Sequence, residues 1–128
     1  MKTNKIYIES AVGELIDKIT ILEIKRKKIS DKNSLKAINK EYHILKKILK
    51  KNIKMKKNLK KLWNDLKKIN LKIWEMEDKK RKTQKYLEEL SKLAKDVYKF
   101  NDGRAEIKRK INKITGSNLK EIKKYAKY

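Results

Sequence analysis

The sequence predicts an all-α fold: an elongated antiparallel bundle, or coiled-coil-like hairpins, of three to four long helices plus a short C-terminal segment. The chain contains no proline and only three glycines, so little interrupts a helix. Apolar residues recur at spacings of three and four over most of the chain, which is the period of one helix face. We therefore expect residues 1–128 to form a single helical domain with its own core.

The first helix is predicted to follow Ser10, a favourable N-cap residue, after a short extended lead-in that contains Ile6 and Ile8. Its main apolar face consists of Val12, Leu15, Ile19, Leu22 and Ile29. Ile21 and Ile24 form a second apolar patch on the opposite side. A helix with two apolar sides is expected to lie between neighbouring helices or across a dimer interface.

The second helix is predicted from Leu35 onward, after a turn at residues 30–34 that ends in a cap. Its apolar stripe fades over residues 50–58. The alternation of three and four resumes at Leu59 and predicts a third helix. Short connections between such helices favour antiparallel neighbours.

A further break is predicted at residues 79–84, which separates the third helix from a fourth. This stretch contains neither Gly nor Pro, so the alternative is one helix of about 55 residues, or about 80 Å. Gly116 is a suitable residue to end the fourth helix, and Ser117 is placed to cap the last segment. That segment carries Leu119, Ile122 and Tyr125.

Arg104 interrupts the apolar stripe of the fourth helix, between Phe100 and Ile107. A guanidinium in such a row needs a carboxylate partner or a route to water, because an unpaired buried charge is strongly destabilising. This placement makes Arg104 a candidate site residue. We expect Glu77, on the third helix, to be its partner.

Polar and small residues run beside the apolar stripes of the third and fourth helices. This pattern suits either a ligand-binding groove or a polar layer that fixes the register of a bundle. In the ligand hypothesis, Arg104 and Lys108 hold an anion and Glu77 or Glu14 transfers protons. The candidate ligand-binding residues are Glu14, Asp17, Lys18, Trp74, Glu77, Arg81, Tyr98, Asn101, Arg104 and Lys108.

The sequence predicts no metal site, catalytic set or cofactor. Carboxylates without a His three or four residues away are a weak metal signal, and His43 is the single histidine. Zero cysteines exclude disulfides and thiolate ligands. Because the chain has neither a long apolar run nor a signal-peptide core, we expect a cytoplasmic protein without a membrane span.

The formal net charge is +23, and its densest part is residues 42–64, with nine lysines and no acidic residue. We call residues 50–61, at the predicted turn between the second and third helices, the lysine tip. Its candidate polyanion-contacting residues are Lys50, Lys51, Lys54, Lys56, Lys57, Lys60 and Lys61. Only four of the 39 basic residues are Arg. The charge is therefore either a solvated surface produced by compositional drift in an AT-rich genome or a polyanion-binding surface that reads no base sequence.

The first helix contains the motif Gly-Glu-Leu-Ile-Asp-Lys at residues 13–18. Further distinctive positions are Asn70, Trp74, Glu77, Asp78, Arg81, Val97, Tyr98, Asn101, Asp102, Arg104, Lys108, Ile111, Asn112, Gly116, Ser117, Glu121 and Tyr125. Together they resemble a domain-of-unknown-function family of short helical bacterial and phage proteins, over nearly the whole chain. The resemblance implies a helical fold and no known chemistry. The chain departs from the family pattern at Gly103, where a second basic residue would stand beside Arg104.

The pattern at residues 14–19 is also faintly similar to the first helix of the helical chorismate mutases. The arginine that those enzymes use to hold a substrate carboxylate falls on Gly13. We expect a non-enzymatic accessory protein that binds a partner protein or a polyanion through the polar groove and the lysine tip. The alternatives are a small-anion binding protein or enzyme with its site around Arg104, and a sequence-nonspecific nucleic-acid-binding protein. A homo-oligomer is also compatible with the sequence.

Overall fold

The fold is all-α, as predicted. The computed structural model describes residues 3–82 and 87–122, without the side chains of residues 87 and 88, and contains no β-strand in these ranges. The helices are α1 (Val12–Lys28), α2 (Lys32–Asn52), α3 (Lys57–Lys82) and α4 (Leu87–Thr115). None of the helices in the described part of the chain combines the length and apolarity needed to cross a membrane.

Helix α1 is the centre of the molecule and packs against α2, α3 and α4. Its Ile16 and Ile19 are fully buried, and Ile24 on the opposite side is also buried. The main core cluster consists of Ile16, Ile19, Leu49, Leu59, Trp63, Leu66 and Ile111. Ile21, the other member of the predicted second patch, is half-buried. The packing of α1 against three helices accounts for its two apolar sides.

The helix starts differ from the predicted ones because other groups supply the caps. Ser10 does not cap α1: the N-cap residue is Ala11, and the Ser10 hydroxyl donates to the Ala11 carbonyl. Helix α2 begins at Lys32 rather than at Leu35, because Asp31 is its N-cap. One Asp31 carboxylate oxygen accepts hydrogen bonds from the backbone N–H of Ser34 at 2.9 Å and from its hydroxyl at 2.7 Å.

Helices α3 and α4 pack against each other and run antiparallel, since Ile69 lies beside Gly103 while Met76 and Leu93 line one cavity. The alternative of one continuous long helix is therefore wrong. Helix α3 continues through the first part of the predicted turn and ends at Lys82. Residues 83 and 84 of that turn lie outside the described residues.

The end of α4 follows the prediction, whereas the segment after it does not. Gly116 adopts a φ of 66°, and the N–H of Ser117 donates to the carbonyl of Asn112 at 2.9 Å, which closes the helix C-terminus. Residues 117–122 are irregular, so Ser117 caps no helix there. Tyr125, predicted to belong to this segment, lies outside the described residues.

Candidate functional site

A cluster of polar side chains lies between α1, α3 and α4, and we call it the polar cluster. It consists of Glu14, Asp17, Thr20, Asn70, Arg104, Lys108 and Glu121. Gly13 allows α1 to approach α4 closely enough to form it. A Cβ at Gly13 would lie 2.6 Å from the carbonyl oxygen of Lys108 and 2.9 Å from Oδ1 of Asn112. The first turn of α1 thus rests directly on the backbone of α4.

Asp17 and Arg104 form the central ion pair of the polar cluster. Asp17 is 1% exposed, and the Arg104 side chain is 27% exposed. Arg104 donates from Nε to Oδ1 at 2.8 Å and from Nη2 to Oδ2, which is the two-pronged geometry that best matches a guanidinium to a carboxylate. The hydrogen bonds to Asp17 raise the pKa of Arg104, against the opposing effect of burial.

Thr20 and Asn70 complete the surroundings of Asp17. The Asn70 amide donates to Oδ1 of Asp17 at 2.8 Å and to the Thr20 hydroxyl at 2.9 Å. The Thr20 hydroxyl in turn donates to the backbone carbonyl of Asp17 at 2.8 Å. Both residues are buried, so the Asp17 carboxylate is held by hydrogen bonds from two helices without access to bulk water.

Lys108 is the second cation of the polar cluster and lies between two carboxylates. Its Nζ is 2.7 Å from Oε2 of Glu14 and 3.3 Å from Oε2 of Glu121, and its side chain is 8% exposed. With Asp17 and Arg104 included, three acidic groups surround two basic ones. The cluster therefore has no surplus positive charge with which to attract an anion.

The N-terminus of α1 is capped by residues at and just after the C-terminal end of α4. The Gly13 N–H donates to Oδ1 of Asn112 at 2.6 Å, and the Val12 N–H donates to the Ser117 hydroxyl at 3.0 Å. These contacts satisfy two of the free N–H groups that every helix start presents. They also explain why α1 needs no cap from Ser10.

Glu77 is not the partner of Arg104. Its carboxylate lies 3.5 Å from Nζ of Lys80 on its own helix, while Asp17 of α1 takes the guanidinium. The prediction considered only the α3–α4 pair, and α1 packs against both of these helices. The partner of Arg104 is therefore an acidic residue of α1, the helix that the prediction left out.

The structure brings together four of the ten candidate ligand-binding residues: Glu14, Asp17, Arg104 and Lys108. Lys18, Arg81 and Tyr98 are exposed, and Trp74, Glu77 and Asn101 are half-buried. Three members of the polar cluster, Thr20, Asn70 and Glu121, were not among these candidates, although Asn70 and Glu121 belong to the positions that carry the family resemblance. Thr20 is three residues from Asp17, on the same helix face, and this spacing was the one available signal for it.

The seven lysines of the lysine tip are all exposed, at the end of α2, in the connection and in the first turns of α3. Within the described residues Lys61 is the member with an ion pair, at 3.8 Å from Asp65. The first turn of α3 contains no acidic residue. The tip is therefore a concentration of charge that the chain itself leaves largely unneutralised.

Trp63, the aromatic residue nearest to the lysine tip in the sequence, is buried. Its indole N–H donates to Glu23 at 3.0 Å, and Nζ of Lys46 lies 5.0 Å from its ring centroid. A cavity of about 280 Å³ adjoins it, lined by Glu23, Tyr42, Lys46, Met55, Lys60, Trp63 and Asn64. The indole is part of the core cluster and is 8% exposed, so little of its surface is available for stacking.

A family model described as "Family of unknown function (DUF6165)" matches residues 5–128. The chain belongs to DUF6165. No curated protein and no solved structure matches it. The resemblance to a helical family without assigned chemistry is thereby confirmed. In this DUF6165 chain Gly13 also leaves no room for the arginine of the chorismate mutases, because the backbone of α4 occupies the space of any side chain.

Proposed function

We propose that this DUF6165 member is an accessory protein that binds nucleic acid through the lysine tip, without reading its sequence. The observation that carries the proposal is the stretch between Glu41 and Asp65, which contains nine lysines and no acid. A cytoplasmic location and a bacterial or phage origin belong to the same proposal.

The electrostatics of the lysine tip favour a polyanion over a neutral partner. Lys56 and Lys57 stand at the N-terminus of α3, where the helix dipole already places partial positive charge. Positive side chains at that end disfavour the helix, and a phosphate group placed there offsets both the dipole and the lysines. The phosphate backbone of a nucleic acid supplies such groups at regular spacing.

The chemistry of the tip supports attraction to phosphate and not recognition of bases. Lysine ammonium groups act as point charges, whereas bidentate contacts to guanine are typical of arginine. The tip contains no arginine. Trp63 is buried and bonded to Glu23, so stacking on its ring does not contribute.

The polar cluster is, in this proposal, the layer that fixes the register of α1, α3 and α4. Every charged group in it is engaged by another member of the cluster. An anion that approached Arg104 would have to displace the buried carboxylate of Asp17. The cluster therefore supports a structural role more than a ligand site.

The test is the salt dependence of binding to labelled double-stranded DNA 20-mers of unrelated sequence, measured by fluorescence anisotropy. With on the order of six phosphate contacts, log K should fall against log salt with a slope of about −5. The variant Lys54→Gln/Lys56→Gln/Lys57→Gln should lower the steepness of this slope by about 2.7, because each lost contact removes about 0.9.

A matched control removes three exposed lysines from α4 instead, in Lys95→Gln/Lys99→Gln/Lys110→Gln. Both variants change the net charge equally, so long-range attraction falls by the same amount in each. A control that retains the wild-type slope supports binding at the tip. An equal decrease of the slope in both variants would overturn the proposal. Tight binding that distinguishes sequences at high salt would also overturn it.

A further inference from the structure

Residues 3–10, which precede α1, form an extended segment on the surface of the protein, and we call them the leading segment. They contain no turn or bend, and none of them has a positive φ. All of them are exposed, and Ile6, Tyr7 and Ile8 are each at least 80% exposed. Three consecutive large apolar residues open to water indicate a contact surface.

The backbone of the leading segment is unpaired. No N–H or carbonyl group of residues 4–9 takes part in a hydrogen bond within the parts of the chain that the structure describes. Ile and Tyr, which occupy the middle of the segment, are among the residues that favour strands. An extended chain with unpaired N–H and carbonyl groups is a template on which a second strand adds by hydrogen bonding.

The sequence of the leading segment is complementary to itself when two copies run antiparallel. When the two Tyr7 residues face each other, Lys5 of one copy lies opposite Glu9 of the other. Ile6 likewise lies opposite Ile8. Opposite charges, aromatic pairs and β-branched pairs across two strands each stabilise the pairing. A shift of the register by one residue places Lys5 opposite Ile8, or Glu9 opposite Ile6, so the pairing centred on Tyr7 is the favoured one.

The charge of the leading segment allows two copies to approach each other there. A chain with a formal charge of +23 repels its own copies, so self-association requires a contact surface that is not basic. Lys5 and Glu9 are the charged residues of the segment, and their charges cancel. Neither of them has an ion pair within the described residues. Each is therefore available to the opposite charge of a second copy.

The segment after α4 adds apolar surface next to the leading segment. The Asn118 amide donates to the two carboxylate oxygens of Glu9 at 3.2 and 3.1 Å, which joins the two segments. Leu119 and Ile122 follow Asn118 in the chain and are exposed. A two-stranded ribbon alone is only marginally stable in water, so neighbouring apolar side chains contribute to the stability of such a pair.

We infer that the leading segments of two copies pair as antiparallel strands around a two-fold axis at Tyr7 and so form a homodimer. The pairing supplies partners for backbone groups that are unpaired in the single chain. Leu119 and Ile122 of each copy extend the contact beyond the ribbon. The contact is small, so the dimer dissociates on dilution. The inference is independent of nucleic-acid binding at the lysine tip, because it rests on different residues.

An exchange of charges tests the register of the two strands by sedimentation equilibrium. Lys5→Glu and Glu9→Lys each replace both Lys–Glu pairs by like-charged pairs, so each variant should dimerise about tenfold more weakly than the wild type. The two variants change the net charge in opposite directions, so a change in overall repulsion does not weaken both. An equimolar mixture of the two should form a heterodimer of wild-type affinity, and the double variant Lys5→Glu/Glu9→Lys should recover the homodimer.

Hydrogen exchange tests the pairing of the backbone. In the wild type, the exchange of N–H groups within residues 5–9 should slow as the protein concentration rises, whereas Lys5→Glu alone should show much less protection at the same concentrations. The substituted positions are exposed, and the one described contact that they give up is the bond from Asn118 to Glu9. Circular dichroism should therefore show an unchanged helix content in every variant.

A matched control removes exposed apolar residues from α2 instead, in Ile44→Gln/Ile48→Gln, and should leave the dimer affinity unchanged. A wild type that stays monomeric up to about 1 mM would overturn the inference. A dimer that survives both single charge variants, or that is lost only in the α2 variant, would also overturn it, because the two copies would then meet through another surface. Single variants that weaken the dimer without recovery in their mixture would overturn the antiparallel register.

Discussion

Asp17 and Arg104 form an ion pair whose two members lie in different surroundings. Asp17 is fully enclosed, whereas the Arg104 side chain still reaches solvent. Removing the guanidinium leaves a carboxylate in the core that neither water nor a cation can satisfy. Removing the carboxylate leaves a cation that can turn towards water. The cost of a substitution therefore depends on which partner is lost.

We predict that Arg104→Met lowers the free energy of unfolding by about 3–5 kcal/mol, because it strands the buried carboxylate of Asp17. Asp17→Asn should cost less, since the introduced amide still accepts a hydrogen bond and Arg104 keeps its route to water. Urea denaturation measures the free energy of unfolding of both variants. Glu106→Gln, which breaks a surface pair with Arg109, is the control and should change stability by no more than about 0.5 kcal/mol. Equal costs for the two members of the central pair would contradict this account.

Gly13 and Gly103 provide a matched pair of glycine substitutions within helices. A Cβ at Gly13 meets the backbone carbonyl of Lys108 at 2.6 Å, and backbone atoms cannot move aside alone. A Cβ at Gly103 meets the tip of the Ile69 side chain at 3.2 Å. We predict that Gly13→Ala destabilises the fold by about 1–3 kcal/mol.

Gly103→Ala should leave stability unchanged or raise it by up to about 1 kcal/mol, because alanine is the better residue in mid-helix. Thermal unfolding followed by circular dichroism compares the stability of Gly13→Ala with that of Gly103→Ala. A tolerated Gly13→Ala would show that α1 does not rest on α4 as closely as described.

The sequence predicted that Arg104 belongs to an interior site but not what it contacts. A charged residue in an apolar stripe is visible from helical periodicity alone, because the period assigns each residue to a face. Periodicity does not say which of three neighbouring helices meets that face. Asp17 and Arg104 are 87 residues apart, so no local pattern links them.

At the scale of the element, the stability of the N-terminus of α2 depends on pH through its N-cap residue, Asp31. The hydrogen bonds from Ser34, first from its hydroxyl and then from its backbone N–H, lower the pKa of Asp31. A lowered pKa in the folded state means that the charged cap stabilises α2 above the pKa of the unfolded chain. This contribution is lost as the pH falls through the folded pKa.

We predict that Asp31→Asn removes this pH dependence, since asparagine also caps helices but carries no titrating group. The melting temperature of the wild type should fall relative to that of the variant as the pH is lowered from neutral to about 2. A difference that stays constant over this range would show that the charge of Asp31 does not stabilise α2.

The helices themselves were largely predictable, and their first residues were less so. Spacings of three and four identified all four helices, because each has one face in the core. The start of α2 was misplaced because Ser34 was taken as the cap, although Asp31 lies three residues before it. The start of α1 depends on Ser117 and Asn112, and a contact of this range leaves no mark on the local sequence.

At the scale of the whole molecule, a formal charge of +23 acts against the compact state. Exposed lysines repel one another over distances comparable with the Debye length, about 8 Å at physiological ionic strength. We predict that sodium chloride raises the melting temperature as it screens this repulsion. The increase should be smaller in the tip variant Lys54→Gln/Lys56→Gln/Lys57→Gln than in the wild type. A melting temperature that falls with salt would show that attractive ion pairs outweigh the repulsion.

The caps on α1 join residues that lie 105 and 99 positions apart in the chain. Val12 and Gly13 leave the ribosome well before Asn112 and Ser117 have been added. During synthesis two N–H groups of the first helix therefore lack their native acceptors. Its carboxylates Glu14 and Asp17 also lack the cations that α4 supplies in the folded protein. The nascent chain can form the α1–α2 pair, but it cannot complete the contacts of its central helix until α4 and Ser117 have been made.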